Sequence, residues 1–194
     1  PSWCDVHVLF DSRLSERANE QAVCDEVRQS VRSDEIARFR PWLDELRSKP
    51  PKLRSKPGSV HVWLGREALH YEYMLVLDAD SEFAQADRAT PEEGHIVERL
   101  VHTLECDPSL AMIQSGLRIQ PAATWWGWTQ EVSARMGEDF QSPIMRFLFG
   151  RQQPSYGHGV IFRVGAFERD CVNTLEYDSH DFLEAADLAA AGHG

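Results

Sequence analysis

Tyr73-Met-Leu-Val-Leu-Asp-Ala-Asp-Ser81 is the stretch whose reading decides the fold. Its apolar run, Met74 to Leu77, stops at two carboxylates one residue apart, Asp78 and Asp80. A short continuous apolar run of this kind suits a buried strand of a parallel sheet. In open α/β sheets, ligands bind just beyond the carboxyl ends of such strands. Two carboxylates there make a hard oxygen site for Mg2+ or Mn2+, which in turn holds a diphosphate. The competing reading is a simple turn, with Asp78 as its cap and Asp80 as a solvated loop residue.

Outward from this strand, the pattern alternates between periods of two and 3.6. Strands are expected at residues 5–10, 36–39, 110–114 and 159–164, and helices at 15–31, 59–71, 90–104, 122–149 and 182–191. Pro41 argues against a helix through 35–40. Ser59 is placed to cap the helix that leads into Tyr73. Thr90, Pro91 and Glu93 form a capping box ahead of an apolar face made of Ile96, Val97, Leu100, Val101 and Leu104. Asp107-Pro108 ends that helix, and Gly192 suits the position just past the last one. Strands alternating with helices imply an α/β fold with a mostly parallel sheet flanked by helices.

The 194 residues suffice for one domain with a core. At 42% hydrophobic and 26% charged, they have the composition of a soluble globular protein. A formal charge of −11 argues against nucleic acid or anionic lipid as a partner of the chain as a whole. A phosphate ligand therefore calls for a metal or for local Arg and Lys. Cys4, Cys24, Cys106 and Cys171 are scattered, which favours reduced, buried thiols in a cytosolic compartment and excludes a Cys-x-x-Cys zinc motif. No run approaches the roughly 18 apolar residues of a membrane span.

Three acidic positions share one context, each following a strand or opening a helix: Asp11, the pair Asp78 and Asp80, and Asp181. Carboxylates at strand ends of one sheet can converge on one crevice, where a pair holds a cation and another acts as base. Aspartyl-phosphate phosphatases also place Asp-x-Asp after an apolar strand, but with Thr or Val two residues after the second Asp; here Ser81-Glu82 follows. The basic Pro-rich stretch 47–58 is either a solvated linker or a phosphate- or membrane-facing loop, with Lys56 as its candidate contact. Trp125, Trp126 and Trp128 suit core, interface or a sugar-stacking face. His180 is either a cap or packed residue or part of an acceptor site. Gly157-His158-Gly159 lets backbone approach a ligand.

The segment 73–194 resembles the family 2 glycosyltransferases, and within them the branch that builds osmoregulated periplasmic glucans. The motifs that carry the resemblance are Tyr73 to Ser81, Ala111-Met-Ile-Gln-Ser115, Tyr156-Gly-His-Gly-Val-Ile-Phe-Arg-Val164 and Ser179-His-Asp-Phe-Leu-Glu-Ala-Ala186. Looser likeness extends to Val8-Leu-Phe-Asp-Ser12 and to Arg54-Ser-Lys-Pro-Gly-Ser59.

The resemblance implies a GT-A type, Rossmann-like domain over 1–194, with a nucleotide-side region at 1–58 and a metal, donor and acceptor region at 59–194. It implies inverting transfer of glucose from UDP-glucose to a growing β-glucan, with Mg2+ or Mn2+ as cofactor. Asp11 and Lys56 would meet the nucleotide, Asp78 and Asp80 the metal and diphosphate, and Asp181 would be the general base. His158, His180 and Trp125 would lie on the acceptor side.

The family's first strand, its Gln-x-x-Arg-Trp motif and its membrane helices are not found in this sequence, so the domain is expected to be truncated. The parent protein is expected at the cytoplasmic face of a bacterial inner membrane, held there by segments beyond this chain, which is itself expected to be soluble. A cellulose-synthase-like β-glycan polymerase is the nearest alternative, although Ser-His-Asp stands where cellulose synthases have Thr-Glu-Asp. A non-catalytic nucleotide-sugar-binding regulatory domain is a further one.

Overall fold

The computed structural model describes residues 5–9, 21, 22, 25, 26, 38–42, 56–78, 96–116, 123–150, 154–171 and 180–193. The chain forms two compact units, Pro1–Glu67 and Ala68–Gly194. That boundary falls inside the stretch assigned from sequence to the metal, donor and acceptor region.

In the first unit, strand β1 (Asp5–Leu9) pairs in parallel with β2 (Arg38–Trp42). The expected strand at 36–39 is found two residues later and contains Pro41, which stands opposite Val8. Proline lacks an N–H, and a strand tolerates it where that N–H would face away from a partner. Helix α1 (Lys56–Glu67) starts three residues before the expected cap, so Ser59 is a buried residue of the helix rather than its cap. Pro57, in the first turn, needs no N–H partner there. Val62, Trp63 and Leu64 are buried, and Trp63 meets the His7 ring edge-on at 5.7 Å. Of the helix expected at 15–31, Gln21, Ala22, Asp25 and Glu26 are helical, and the rest lies outside the described residues.

In the second unit, a 3-10 turn (Ala68–His70) leads to β3 (Tyr73–Val76), α2 (Ile96–Cys106) and β4 (Met112–Gln114). A helical run follows, made of α3 (Trp125–Met136), a π turn (Gly137–Gln141) and α4 (Ser142–Phe149). The chain returns through β5 (Val160–Arg163), α5 (Val164–Asp170) and α6 (His180–Ala190).

The three strands lie in the order β3-β5-β4, and β5 runs antiparallel to both neighbours. The expectation of a mostly parallel sheet therefore holds for the β1–β2 pair and fails in this sheet. The reason is topological. β3 and β4 point the same way with a gap between them, and β5 fills the gap from the opposite end. Val160, Ile161 and Phe162 are each at most 1% exposed, so both faces of β5 are covered. This explains why its apolar run is continuous, as in a parallel strand, although its pairing is antiparallel. Phe162 packs edge-on against Phe167 of α5 at 4.8 Å. α5 was not expected from the sequence.

Local chemistry accounts for the helix ends. Asp107 Oδ1 accepts from Ser109 N–H at 3.1 Å and from its hydroxyl at 2.5 Å, turning the chain after α2. Thr124 caps α3 by accepting the Gly127 N–H at 3.1 Å. Pro143 supplies no N–H and would crowd the carbonyl four residues back, and the π turn immediately before it relieves both problems. After α6, Gly192 (φ 89°) donates to Ala189 O and His193 donates to Leu188 O, the paired bonds of a Schellman ending. The cap expected at Thr90 lies outside the described residues.

Arg163 ties the far end of the sheet together. Its Nε donates to Leu110 O at 2.8 Å, Nη1 to the Tyr73 hydroxyl at 3.0 Å and Nη2 to Leu104 O. Tyr73 in turn donates to Glu105, and burial followed by that carboxylate pushes its phenol above the ordinary range. Arg163→Met removes three charge-assisted bonds and leaves two carbonyls without this donor. We expect a loss of about 2–3 kcal/mol in urea unfolding, with Arg163→Lys recovering less than half of it.

Both described cysteines are free thiols; Cys171 is buried, as expected, whereas Cys106 is exposed. Burial, followed by the nearby Glu184, Asp187 and Asp170 carboxylates, pushes the Cys171 thiol far up. Its folded pKa lies above the unfolded one, so its contribution to stability is complete below about pH 8.5 and declines as pH rises beyond that. Peptide-mapped thiol labelling at pH 8 should modify Cys106 readily in the native protein and Cys171 only upon unfolding. Equal labelling rates at the two positions would contradict the buried placement.

Candidate functional site

The sheet register sets the site. Val76, Val160 and Gln114 stand in one row across β3, β5 and β4, at the end where β3 and β4 finish and β5 begins. The ladder runs one step further: Gly159 N–H donates to Val76 O at 2.8 Å, and Ser115 N–H donates to Gly159 O at 2.9 Å. Asp78, two residues past β3, thus lies at the same sheet end as the turn 155–159 that feeds β5. The antiparallel direction of β5 delivers that turn to the carboxyl ends of β3 and β4.

Within the turn, Gly157 and Gly159 have φ of 75° and 62°, the left-handed region in which a Cβ is strained. Buried Ser155 accepts the Gly157 N–H at 3.1 Å. The Ser115 hydroxyl donates to Gly159 O at 2.5 Å. His158 Nδ1 lies 3.5 Å from Asp78 Oδ2 and 3.0 Å from Tyr156 O, with the His158 and Asp78 side chains partly exposed.

Asp181 reaches the same turn from α6. A Cβ built at Gly157 would overlap both carboxylate oxygens of Asp181, so the glycine backbone lies directly against that carboxylate. Asp181 sits in the first turn of α6, where the helix dipole favours a negative charge, and its Oδ1 is sealed from solvent.

Three residues singled out from sequence, Asp78, His158 and Asp181, therefore meet through one glycine turn. Lys56 opens α1 in the other unit, and His180 is the first residue of α6. Asp11 and Asp80 lie outside the described residues. Trp125 stacks on Trp128 with centroids 5.0 Å apart, and both rings remain largely exposed, so the cluster is a surface feature. A shallow apolar groove of about 600 Å³ runs along the same helical stretch, between Trp128 and Met145, and none of the carboxylates named above lines it.

Sequence reasoning overlooked Gln114 and Ser155, whose polar atoms hold the turn. For Gln114 the signals were a polar residue ending an apolar strand and its place in the Ala111–Ser115 motif; Ser155 carried none.

As to a cation, the residues fit one type of donor set. The partly exposed Asp78 carboxylate at a strand end offers hard oxygen, and Mg2+ is commonly held by one or two carboxylates together with substrate phosphates. Among the described residues there is no cluster of three or more His, Cys, Asp or Glu that would make an all-protein cage. No helix among them is long and apolar enough to cross a membrane.

Curated relatives cover most of the chain. It is 28% identical to the glucans biosynthesis glucosyltransferase H of Nitrosomonas europaea, over 82% of this chain and 20% of that protein. Against the protein of the same name from Dickeya dadantii the identity is 25%, over 98% of this chain and 22% of the relative. Against that of Bradyrhizobium diazoefficiens it is 31%, over 71% and 18%. The chain spans about a fifth of the length of the relatives it matches. No family model matches the chain, and no solved structure matches it.

Gly157→Ala tests the packing of the turn against Asp181. The added methyl demands both a strained φ and displacement of the carboxylate, so about 1–3 kcal/mol should be lost in urea unfolding. Gly165→Ala, with open space at its Cβ, should lose far less.

Proposed function

We propose that this chain, whose assignment to the glucans biosynthesis glucosyltransferase H family its relatives support, is part of the sugar-transferring domain of a membrane-bound glucosyltransferase. The names of the relatives support a glucosyltransferase in glucan biosynthesis. The finer reading is inverting transfer of glucose from UDP-glucose to a growing β-glucan, at the cytoplasmic face of a bacterial inner membrane.

The observation that supports this reading is the meeting of Asp78 and Asp181 on one glycine turn, at the end of the sheet where strands β3 and β4 finish. Two carboxylates from different elements, contacting adjacent residues of one backbone turn, suit a reaction between a charged donor and an uncharged hydroxyl. Asp78, with Asp80, would hold Mg2+ or Mn2+ against the diphosphate. When bound, such a cation supplies Lewis-acid neutralisation of the leaving group's charge.

The remaining work falls to the chain's own side chains. Asp181, half-buried and steadied by the start of α6, accepts the proton of the acceptor hydroxyl as that oxygen attacks the anomeric carbon. Attack opposite the departing UDP inverts the anomeric configuration and gives a β-linkage from an α-linked donor. The Gly157 backbone keeps Asp181 from swinging toward the turn. His158, on the acceptor side, spans from the turn to Asp78. Asp11 and Lys56 serve the nucleotide, and His180 and Trp125 the acceptor.

In the full-length membrane protein, Asp181→Asn should lower glucan synthesis by about 10²–10⁴-fold. Retention of native turnover would rule out Asp181 as the base. For the isolated chain, calorimetric titration with UDP-glucose should show heat that requires Mn2+ and is lost in Asp80→Ala. Metal-independent binding that survives the change would remove the acidic pair from the donor site.

A further inference from the structure

Gln114 ends β4 and directs both ends of its side-chain amide at the turn that feeds β5, with one further bond to its neighbour Ser115. Its Oε1 accepts the Tyr156 N–H at 2.8 Å. Its Nε2 donates to His158 O at 2.9 Å and to Ser115 O at 3.1 Å, with Gly159 O at 3.5 Å. The orientation is forced, because only the oxygen can accept a backbone N–H and only the nitrogen can serve carbonyls. One side chain thus fixes the residues on both sides of Gly157, the glycine that lies against Asp181, and fixes the backbone of His158, whose ring faces Asp78.

We propose that Gln114 is a positioning residue that holds the turn 156–159, and through it sets the placement of Asp181 relative to Asp78. The inference rests on the reading of those carboxylates as base and donor-side ligand. Gln114 acts on both of them through the turn. Glutamate is nearly isosteric but, when ionised, has no hydrogen to give to His158 O or Gly159 O, and it sets a negative charge against those carbonyls. Methionine matches the length and makes neither kind of bond. Glutamate removes the donations and methionine every bond to the turn, and neither empties the sheet, because Gln114 lies at the end of its strand and is not among the fully buried residues.

The first measurement is NMR of the His158 ring in the whole 194-residue chain. In the native background, Asp78→Asn should move the His158 ring resonances. In Gln114→Glu or Gln114→Met chains that retain the native far-ultraviolet spectrum and cooperative unfolding, the response should fall several-fold. The second measurement is turnover by the full-length protein. A catalytic group displaced by about 1 Å costs on the order of 10²-fold, so kcat should fall by that much while KM for UDP-glucose stays within about threefold.

An unchanged His158 response in either folded variant overturns the inference. So does loss of folding in both variants, which would make Gln114 a stability residue alone. Native protein that makes no glucan from UDP-glucose would defeat the functional reading, and the NMR response would still decide the role of Gln114.

Discussion

Strand β5 is the constraint on which the second unit depends. It enters between two strands that run the other way and supplies hydrogen bonds to both. With Val160, Ile161 and Phe162 all out of water, it has no solvent-facing side. A strand in that position cannot shift its register without moving apolar groups and breaking two ladders at once. Its ends are held by polar groups of opposite kinds. At the outgoing end the Arg163 guanidinium gathers carbonyls from α2 and from the entry to β4. At the incoming end an uncharged amide, Gln114, holds the glycine turn.

This division follows from what each end must tolerate. A cation at the outgoing end satisfies helix and loop carbonyls far from the carboxylate pair. A cation at the incoming end would pair with Asp78 and Asp181 and offset their charge. A neutral amide holds backbone there without adding charge. The two carboxylates reach the turn from separate stretches, Asp78 just past β3 against the His158 ring and Asp181 from α6 against the Gly157 backbone.

Much of the element order is legible in the sequence. The run Met74–Leu77, the periodic face of α2, the Asp107-Pro108 stop and the Gly192 ending each state a local rule, and local rules are readable from neighbours along the chain. Asp78 and Asp181 are legible as candidates because ligands of α/β sheets bind beyond strand ends, and His158 because two glycines flank it. Other features are not legible. The buried run of β5 reads the same whether its neighbours are parallel or antiparallel, since burial on both faces removes the alternation that would tell them apart. Helix α5, only seven residues long, begins directly at the end of β5 and leaves no turn signal between them. Ser59 resembles a cap because Ser ahead of an apolar run usually is one, yet Pro57 starts the helix earlier.

The sequence by itself determined the α/β alternation, the ends of α2 and α6, the likeness to glucan-building glucosyltransferases and the identity of the acidic residues. Only the tertiary structure decided that β5 runs against its neighbours, that Gly157 lies on the Asp181 carboxylate and that Gln114 holds the turn between them. The physical reason is distance along the chain. Capping, periodicity and turn chemistry act within a few residues, whereas Gln114 meets Tyr156 across 42 positions. Such contacts depend on strand order and direction, which no local pattern encodes.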